Sequence, residues 1–225
     1  MTPAPASGGS PQPIRVRVWD LPTRLFHWAL TALVIFSFVS AKVGVDWIQW
    51  HSYSGYTILT LILFRLLWGL AGSHYARFET FLRGPRAIAS FLRDGAAVAG
   101  HNPLGALSIL AILLSLLLQG ATGLFATDDI VSEGPLMKLV SHSTGALLTR
   151  VHRWNAKALI ALTVLHVAAV LYYLLARHRN LIVPMLTGDQ HLDGATAAED
   201  DLATRIRAAL LCAIAAGLVA YVVNL

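Results

Sequence analysis

The chain has 225 residues, of which 56% are hydrophobic and 13% are charged, and its mean hydropathy is +0.62. A soluble domain carries roughly 25% charged residues, so this composition indicates an integral membrane protein. The single cysteine, Cys212, excludes an internal disulfide framework and a Cys-x-x-Cys-His attachment site for c-type haem in this chain. Lys and Arg (17) outnumber Asp and Glu (12), which in a membrane protein reflects cytoplasmic loops, so no nucleic-acid partner is expected.

The elements predicted along the chain are mostly apolar helices. Residues 1–14 are rich in proline, serine and glycine and lack the apolar stretch of a cleavable signal, which predicts a disordered cytoplasmic tail. Five apolar segments follow, and each is close to the ~20 residues that cross a bilayer core. The predicted spans are residues 25–41, 52–71, 103–126, about 150–176 and 208–225.

Two shorter segments lie between these spans. The segment PRAIASFLRD follows the second span and has apolar residues at helical spacing between arginines, which predicts a short helix on the inner membrane surface. Residues 189–204 are acidic and predict a cytoplasmic connector before a fifth transmembrane helix within residues 205–225.

Basic residues are distributed unevenly over the two sides of this predicted bundle. Eleven Lys or Arg residues lie on the side that carries the N-terminus, and four lie on the other side. The positive-inside rule therefore predicts a cytoplasmic N-terminus and a periplasmic C-terminus.

Four histidines lie at two depths of the bundle. His152 and His166 of the fourth span share one helix stripe, because fourteen steps of ~100° return almost to the same angle, and they lie ~21 Å apart along the axis. His51 begins the second span at the outer side, level with His152, and His27 begins the first span at the inner side, level with His166.

Paired imidazoles inside a membrane bundle suit iron, and polar side chains in spans face the bundle interior. The pattern therefore predicts two bis-histidine b-type haems, with an outer pair of His51 and His152 and an inner pair of His27 and His166. One alternative is a helix contact made by each histidine through a hydrogen bond. A zinc site is a second alternative, although it would need all its ligands close to one ion.

Further residues near the histidines suit a haem site. Gly55 lies one turn after His51, where a missing side chain would let a porphyrin approach the backbone, although it could equally serve helix packing. Four arginines near the ends of spans are placed to pair with haem propionates. These arginines are Arg24, Arg65, Arg150 and Arg153. The alternative for Arg65 is a side chain that extends to the membrane surface, and the alternative for the other three is a role in topology.

Two other polar residues lie within the spans. Lys157 is five residues after His152, which predicts a side chain that points away from the histidine stripe and reaches towards the outer surface, although a lysine near the outer haem could attract an anion. Gln119 in the third span is placed either to contact a quinone or to bond a neighbouring helix.

Four stretches of the sequence resemble the bacterial cytochrome b561 family, and more closely its branch related to the b-type cytochrome subunit of nickel–iron hydrogenases. They are VRVWDLPTRLFHW, FRLLWGLAGSHYARFETFLRGP, HNPLGALSILAILLSLLLQGATGLFATDD and VHRWNAKALIALTVLHVAAVLYY. The resemblance covers residues 15–188 and leaves the fifth span outside. It implies an all-α integral protein of the bacterial inner membrane, in which a four-helix transmembrane bundle holds two haem b groups. The implied ligands are His27, His51, His152 and His166.

Three functions are compatible with these features. The first is electron transfer between the quinone pool and a periplasmic redox partner, for which the resemblance implies a c-type cytochrome or a hydrogenase. The second is a superoxide:quinone oxidoreductase that acts alone, and the third is a haem-free membrane anchor or transporter. The acidic outer loop, with Asp128, Asp129 and Glu133, favours docking of a basic protein over attraction of superoxide.

Overall fold

The computed structural model describes residues 14–82, 84–94, 100, 102–128, 130, 132–192 and 196–225. Most of the predicted tail, residues 1–13, lies outside the described residues, and so does Asp129 of the acidic outer loop. Over the part of the chain that it describes, the structure consists of eight α-helices and two short strands, with three single-turn 3-10 helices between them. In chain order they are β1 (Ile14–Arg17), α1 (Leu21–Val43), α2 (Ile48–Ala71), α3 (Phe78–Phe81), α4 (Pro85–Asp94), α5 (Pro103–Gly123), α6 (His142–Leu175), α7 (Ile182–Thr187), β2 (Asp189–Leu192) and α8 (Leu202–Val223).

Five of these helices, α1, α2, α5, α6 and α8, are long and apolar enough to cross a membrane. The chain is thus an all-α integral membrane protein with five membrane helices, as the sequence predicts. The short helix predicted over PRAIASFLRD is present as α4.

Helices α1, α6 and α8 begin earlier than their predicted spans, because a polar residue caps the first turn of each. The Asp20 carboxylate accepts a hydrogen bond from the Thr23 amide (2.6 Å) at the start of α1. Ser141 accepts one from the Thr144 amide (3.2 Å), so α6 begins at His142 rather than near residue 150 as predicted. The outer turns predicted as loop are thus the first turns of a 34-residue helix.

Helix α2 is the centre of the bundle and packs against α1, α5 and α8. Its side chains Ile62 and Trp68 are fully buried, and Ala208 and Ala215 bring α8 close to the core. The helix α6 packs along α5, whereas within the described residues no comparable interface joins α6 to α1 or α2. The side of α6 that faces α1 and α2 therefore leaves space inside the bundle.

A small sheet lies at the end of the bundle where α1 begins, which is the predicted inner side. Strand β1 pairs antiparallel with β2, with Arg17 opposite Asp189. The Arg17 guanidinium also joins both Asp189 and Asp200 by ion pairs of 2.5 Å, which ties the start of the chain to the connector before α8. These strands were not predicted, and the acidic segment predicted as a connector contributes its first four residues to the sheet.

Candidate functional site

The structure brings the two outer histidines together. The ring centroids of His51 on α2 and His152 on α6 are 6.2 Å apart, and the ring planes are nearly perpendicular at 89°. Both rings border a cavity of about 660 Å³ between α1, α2, α5 and α6. This volume lies within the ~300–1,000 Å³ that is usual for cofactor and small-molecule pockets.

A backbone carbonyl oxygen lies beside the Nδ1 atom of each outer imidazole. The Nδ1 atom of His51 lies 2.9 Å from the carbonyl oxygen of Ser37, and the Nδ1 atom of His152 lies 3.0 Å from that of Gln119. A carbonyl oxygen only accepts hydrogen bonds, so Nδ1 carries the proton in both rings. Each Nε2 atom therefore keeps its lone pair, which is the state in which a histidine binds a metal.

Two glycines shape the cavity on either side of these rings. Gly55 borders it on α2, and a β-carbon there would meet nothing within 4 Å, so that wall is open. A β-carbon at Gly123 on α5 would lie 3.1 Å from Cε1 of His152. Gly123 thus lets α5 approach the imidazole closely, a role that only the relative rotation of α5 and α6 reveals.

Basic residues are among those that border the same cavity. Arg153 and Lys157 both border it, and the Lys157 ammonium lies 4.0 Å from the centroid of the Trp154 ring. Lys157 is exposed, and its ammonium reaches back towards the start of α6, the predicted outer end, which agrees with the prediction that this side chain extends to the outer surface. Arg150 is exposed and is not part of the cavity wall.

The inner histidines, His27 in the second turn of α1 and His166 on α6, are both half-buried. The Nδ1 atom of His27 is buried and has no hydrogen-bond partner among the described residues. A buried nitrogen with a free bonding position is costly unless something else satisfies it.

The two arginines predicted at the inner level are placed differently. Arg65 is 3% exposed and its guanidinium lies over the Phe78 ring, 5.1 Å from the centroid, with Nη1 unpaired among the described residues. Arg24 donates a hydrogen bond from Nη1 to the carbonyl of Leu186 (2.7 Å), whereas its buried Nε is unpaired in the described structure. Both groups carry unused donors for an acidic ligand.

These features fit haem bound by the outer pair of histidines, whose rings border a cavity of suitable size. The inner level offers a buried imidazole nitrogen and two arginine donor atoms that have no partner in the described chain. In the described part of the chain, no cluster of three or more His, Cys, Asp or Glu side chains could hold a metal ion.

The sequence did not single out Ser37, Gly123 or Asn155, although all three lie beside the outer imidazoles or their partners. Small and polar residues in a span do signal a close helix contact. Which neighbour each of them contacts depends on how the helices are rotated against one another.

A comparison with protein-family models identifies the family. The model described as prokaryotic cytochrome b561 matches residues 18–188, which include all four histidines and the helices α1 to α7. The chain belongs to the prokaryotic cytochrome b561 family. Searches of curated proteins and of solved structures gave no significant match.

Membership of the cytochrome b561 family establishes the general chemistry of the chain. It is a bacterial membrane protein that binds b-type haem and takes part in electron transfer with other redox components. The helix α8 (Leu202–Val223) lies beyond the matched residues, yet it packs against the central helix α2. The fifth helix is therefore an integral part of this cytochrome b561 bundle.

Proposed function

We propose that this cytochrome carries two haem b groups and transfers electrons across the membrane between the quinone pool and a periplasmic redox partner. The partner is a c-type cytochrome or a hydrogenase, as the resemblance to the hydrogenase-related branch suggests. The observation that supports the proposal most strongly is the outer pair. His51 and His152 face one cavity, and a backbone carbonyl holds the Nδ1 proton of each ring.

The residues of the two levels have distinct roles in this proposal. His51 and His152 hold the outer haem iron, and His27 and His166 hold the inner one. Gly55 leaves room for the outer macrocycle. Four arginines neutralise or orient the haem propionates: Arg153 and Arg150 on the outer side, and Arg24 and Arg65 on the inner side.

Depth makes this arrangement suitable for transfer across the bilayer. A haem supplies a one-electron couple whose potential depends on its ligands, burial and nearby charge. His152 and His166 lie ~21 Å apart along α6, which covers most of a ~30 Å hydrocarbon core. With the N-terminus cytoplasmic, the outer pair serves the periplasmic side and the inner pair the cytoplasmic side.

Haem content tests the proposal. A pyridine haemochrome assay on purified protein should give about two haem b per chain. The variant His152→Ala should lose the outer haem and keep the inner, and His166→Ala the reverse, because each change removes one ligand of one pair. The control His142→Ala changes an exposed histidine in the first turn of the same helix and should keep both haems.

Two results would contradict the proposal. A His152→Ala or His166→Ala protein with two full haems would overturn the pairing. A wild-type protein without haem, from cells with ample haem, would leave the third function, an anchor or transporter without haem.

A second candidate function is that of a superoxide:quinone oxidoreductase that acts alone. The observation in its favour is the set of three cationic side chains around the outer cavity, where an anion would approach the haem. These are Lys42, Arg153 and Lys157. Reduction of a soluble quinone by superoxide and purified protein, with no other protein added, would favour this function over transfer from a protein partner.

A further inference from the structure

A chain of polar side chains crosses the contact between α5 and α6 beside His152. The Ser115 hydroxyl donates to Oδ1 of Asn155 (3.0 Å), and the Asn155 amide donates to the Ser115 carbonyl (2.9 Å) and to Oε1 of Gln119 (2.6 Å). The Gln119 amide nitrogen lies 3.0 Å from Nε2 of His152. In spans that are otherwise apolar, such a group of polar residues is costly unless its members satisfy one another.

The backbone carbonyl of Ser115 fixes the direction of every hydrogen bond in this polar network. The backbone carbonyl of Ser115 can only accept, so the Asn155 nitrogen faces it and faces Gln119 as a donor. Gln119 must then present its oxygen to Asn155 and its NH₂ group to His152. Since Nδ1 of His152 carries the proton, Nε2 is the acceptor, and the Gln119 amide donates to it.

A neutral imidazole has one in-plane lone pair, on the nitrogen without a proton. On the proposed function, that lone pair of His152 is the one that binds the outer haem iron. Gln119 and iron therefore compete for the same bonding position, and the amide must leave Nε2 when iron binds.

We infer that Gln119, aimed by Asn155, is a placeholder that caps the iron-binding nitrogen of His152 while the outer haem is absent. It is a positioning residue, which satisfies a buried lone pair in the haem-free membrane protein and keeps the imidazole in the tautomer that ligates iron. This inference rests on the proposed function. Its consequence is that Gln119 stabilises the haem-free chain and weakens binding of the outer haem.

A haem titration separates these effects. Two variants are compared with the unmodified Gln119. Gln119→Met has a similar size but no donor, and Gln119→Asn is one methylene too short to reach Nε2. All three proteins also carry His166→Ala, so that only the outer haem site remains. Haem-free protein from haem-deficient cells is titrated with haem in detergent. Each variant should bind the outer haem roughly 2- to 10-fold more tightly, the factor equivalent to one net hydrogen bond of ~0.5–1.5 kcal/mol.

The melting temperature of the haem-free protein is the second measurement, and it should fall in both variants. The control Thr122→Val removes a hydroxyl that lies 3.4 Å from Nδ1 of His152, on the other side of the ring, and should leave the haem affinity unchanged. Equal or weaker haem binding by both Gln119 variants would overturn the placeholder. A wild type that binds no haem would instead overturn the proposed function itself.

Discussion

At the scale of single residues, His152 has room for its ring because Gly123 on α5 carries no side chain. Gly123 gives the imidazole its place, because any side chain there would push against Cε1 at 3.1 Å or Nδ1 at 3.4 Å. The Nδ1 proton of the same ring is held by the Gln119 carbonyl, four residues earlier on α5. A shift of the ring would therefore lose both its hydrogen bond and its orientation towards the cavity.

We expect Gly123→Val to lower the affinity of the outer haem about tenfold, with the inner haem unaffected. The physical reason is overpacking, which typically costs ~1–3 kcal/mol and here acts on a proposed ligand. Haem titration of purified protein measures the effect. The control is Gly217→Val on α8, where a β-carbon would meet nothing within 4 Å. An unchanged outer haem in Gly123→Val protein would refute this role of the glycine.

At the scale of elements, the inner sheet ties together the two ends of the matched family domain. Arg17 pairs with Asp189 and Asp200, and its pKa is raised, first by the hydrogen bond to Asp189. Partial burial pushes the pKa of Asp189 up, but the hydrogen bonds and charges of Arg17 and Arg15 outweigh it, so the net pKa lies below its ordinary value of 3.8. The carboxylate is thus stabilised by folding.

We expect this sheet to loosen in acid. A carboxyl group whose pKa is lowered by folding adds stability above its unfolded pKa, and this stability is lost as the pH falls through the folded value, here below 3.8. Arg15 is exposed and Arg17 is partly exposed, so solvent screening limits each pair to ~0.2–1 kcal/mol.

The variant Asp189→Asn should loosen the sheet already at pH 7, as faster amide hydrogen exchange in β1. The control Glu79→Gln, which changes a carboxylate 73% exposed on α3, should leave the exchange in β1 unchanged. Equal exchange in β1 of Asp189→Asn and wild-type protein would show that the ion pairs do not hold the strand.

The elements differ in how far the sequence predicts them. Hydropathy predicts the five membrane helices, because each needs only its own apolar residues. The strands are invisible in the sequence, since β1 forms through pairing with residues more than 170 positions later, such as Arg17 with Asp189. At the site, the depth of each histidine follows from its place in a span, whereas the Gln119–His152 bond depends on the rotation of α5 against α6.

At the scale of the whole molecule, orientation decides which haem faces which compartment. We expect a membrane-impermeant maleimide to label Ser143→Cys, near the outer end of α6, in intact bacterial cells from which the outer membrane has been removed. Glu79→Cys, on the inner side, should be labelled only after the inner membrane is opened. Both substitutions are made with Cys212→Ala so that one thiol is present. The reverse pattern would invert the topology.

The way in which α6 is attached has a mechanical consequence. Among the described residues, the extensive contact of α6 is with α5, whereas residues of its outer half border the cavity on the side of α1 and α2. On the proposed ligation, each haem connects this side of α6 to another helix. The outer haem joins α2 to α6, and the inner haem joins α1 to α6. The two haems would then fix α6 to the bundle. Without them, α6, which carries half of the proposed ligands, would be free to hinge about its contact with α5.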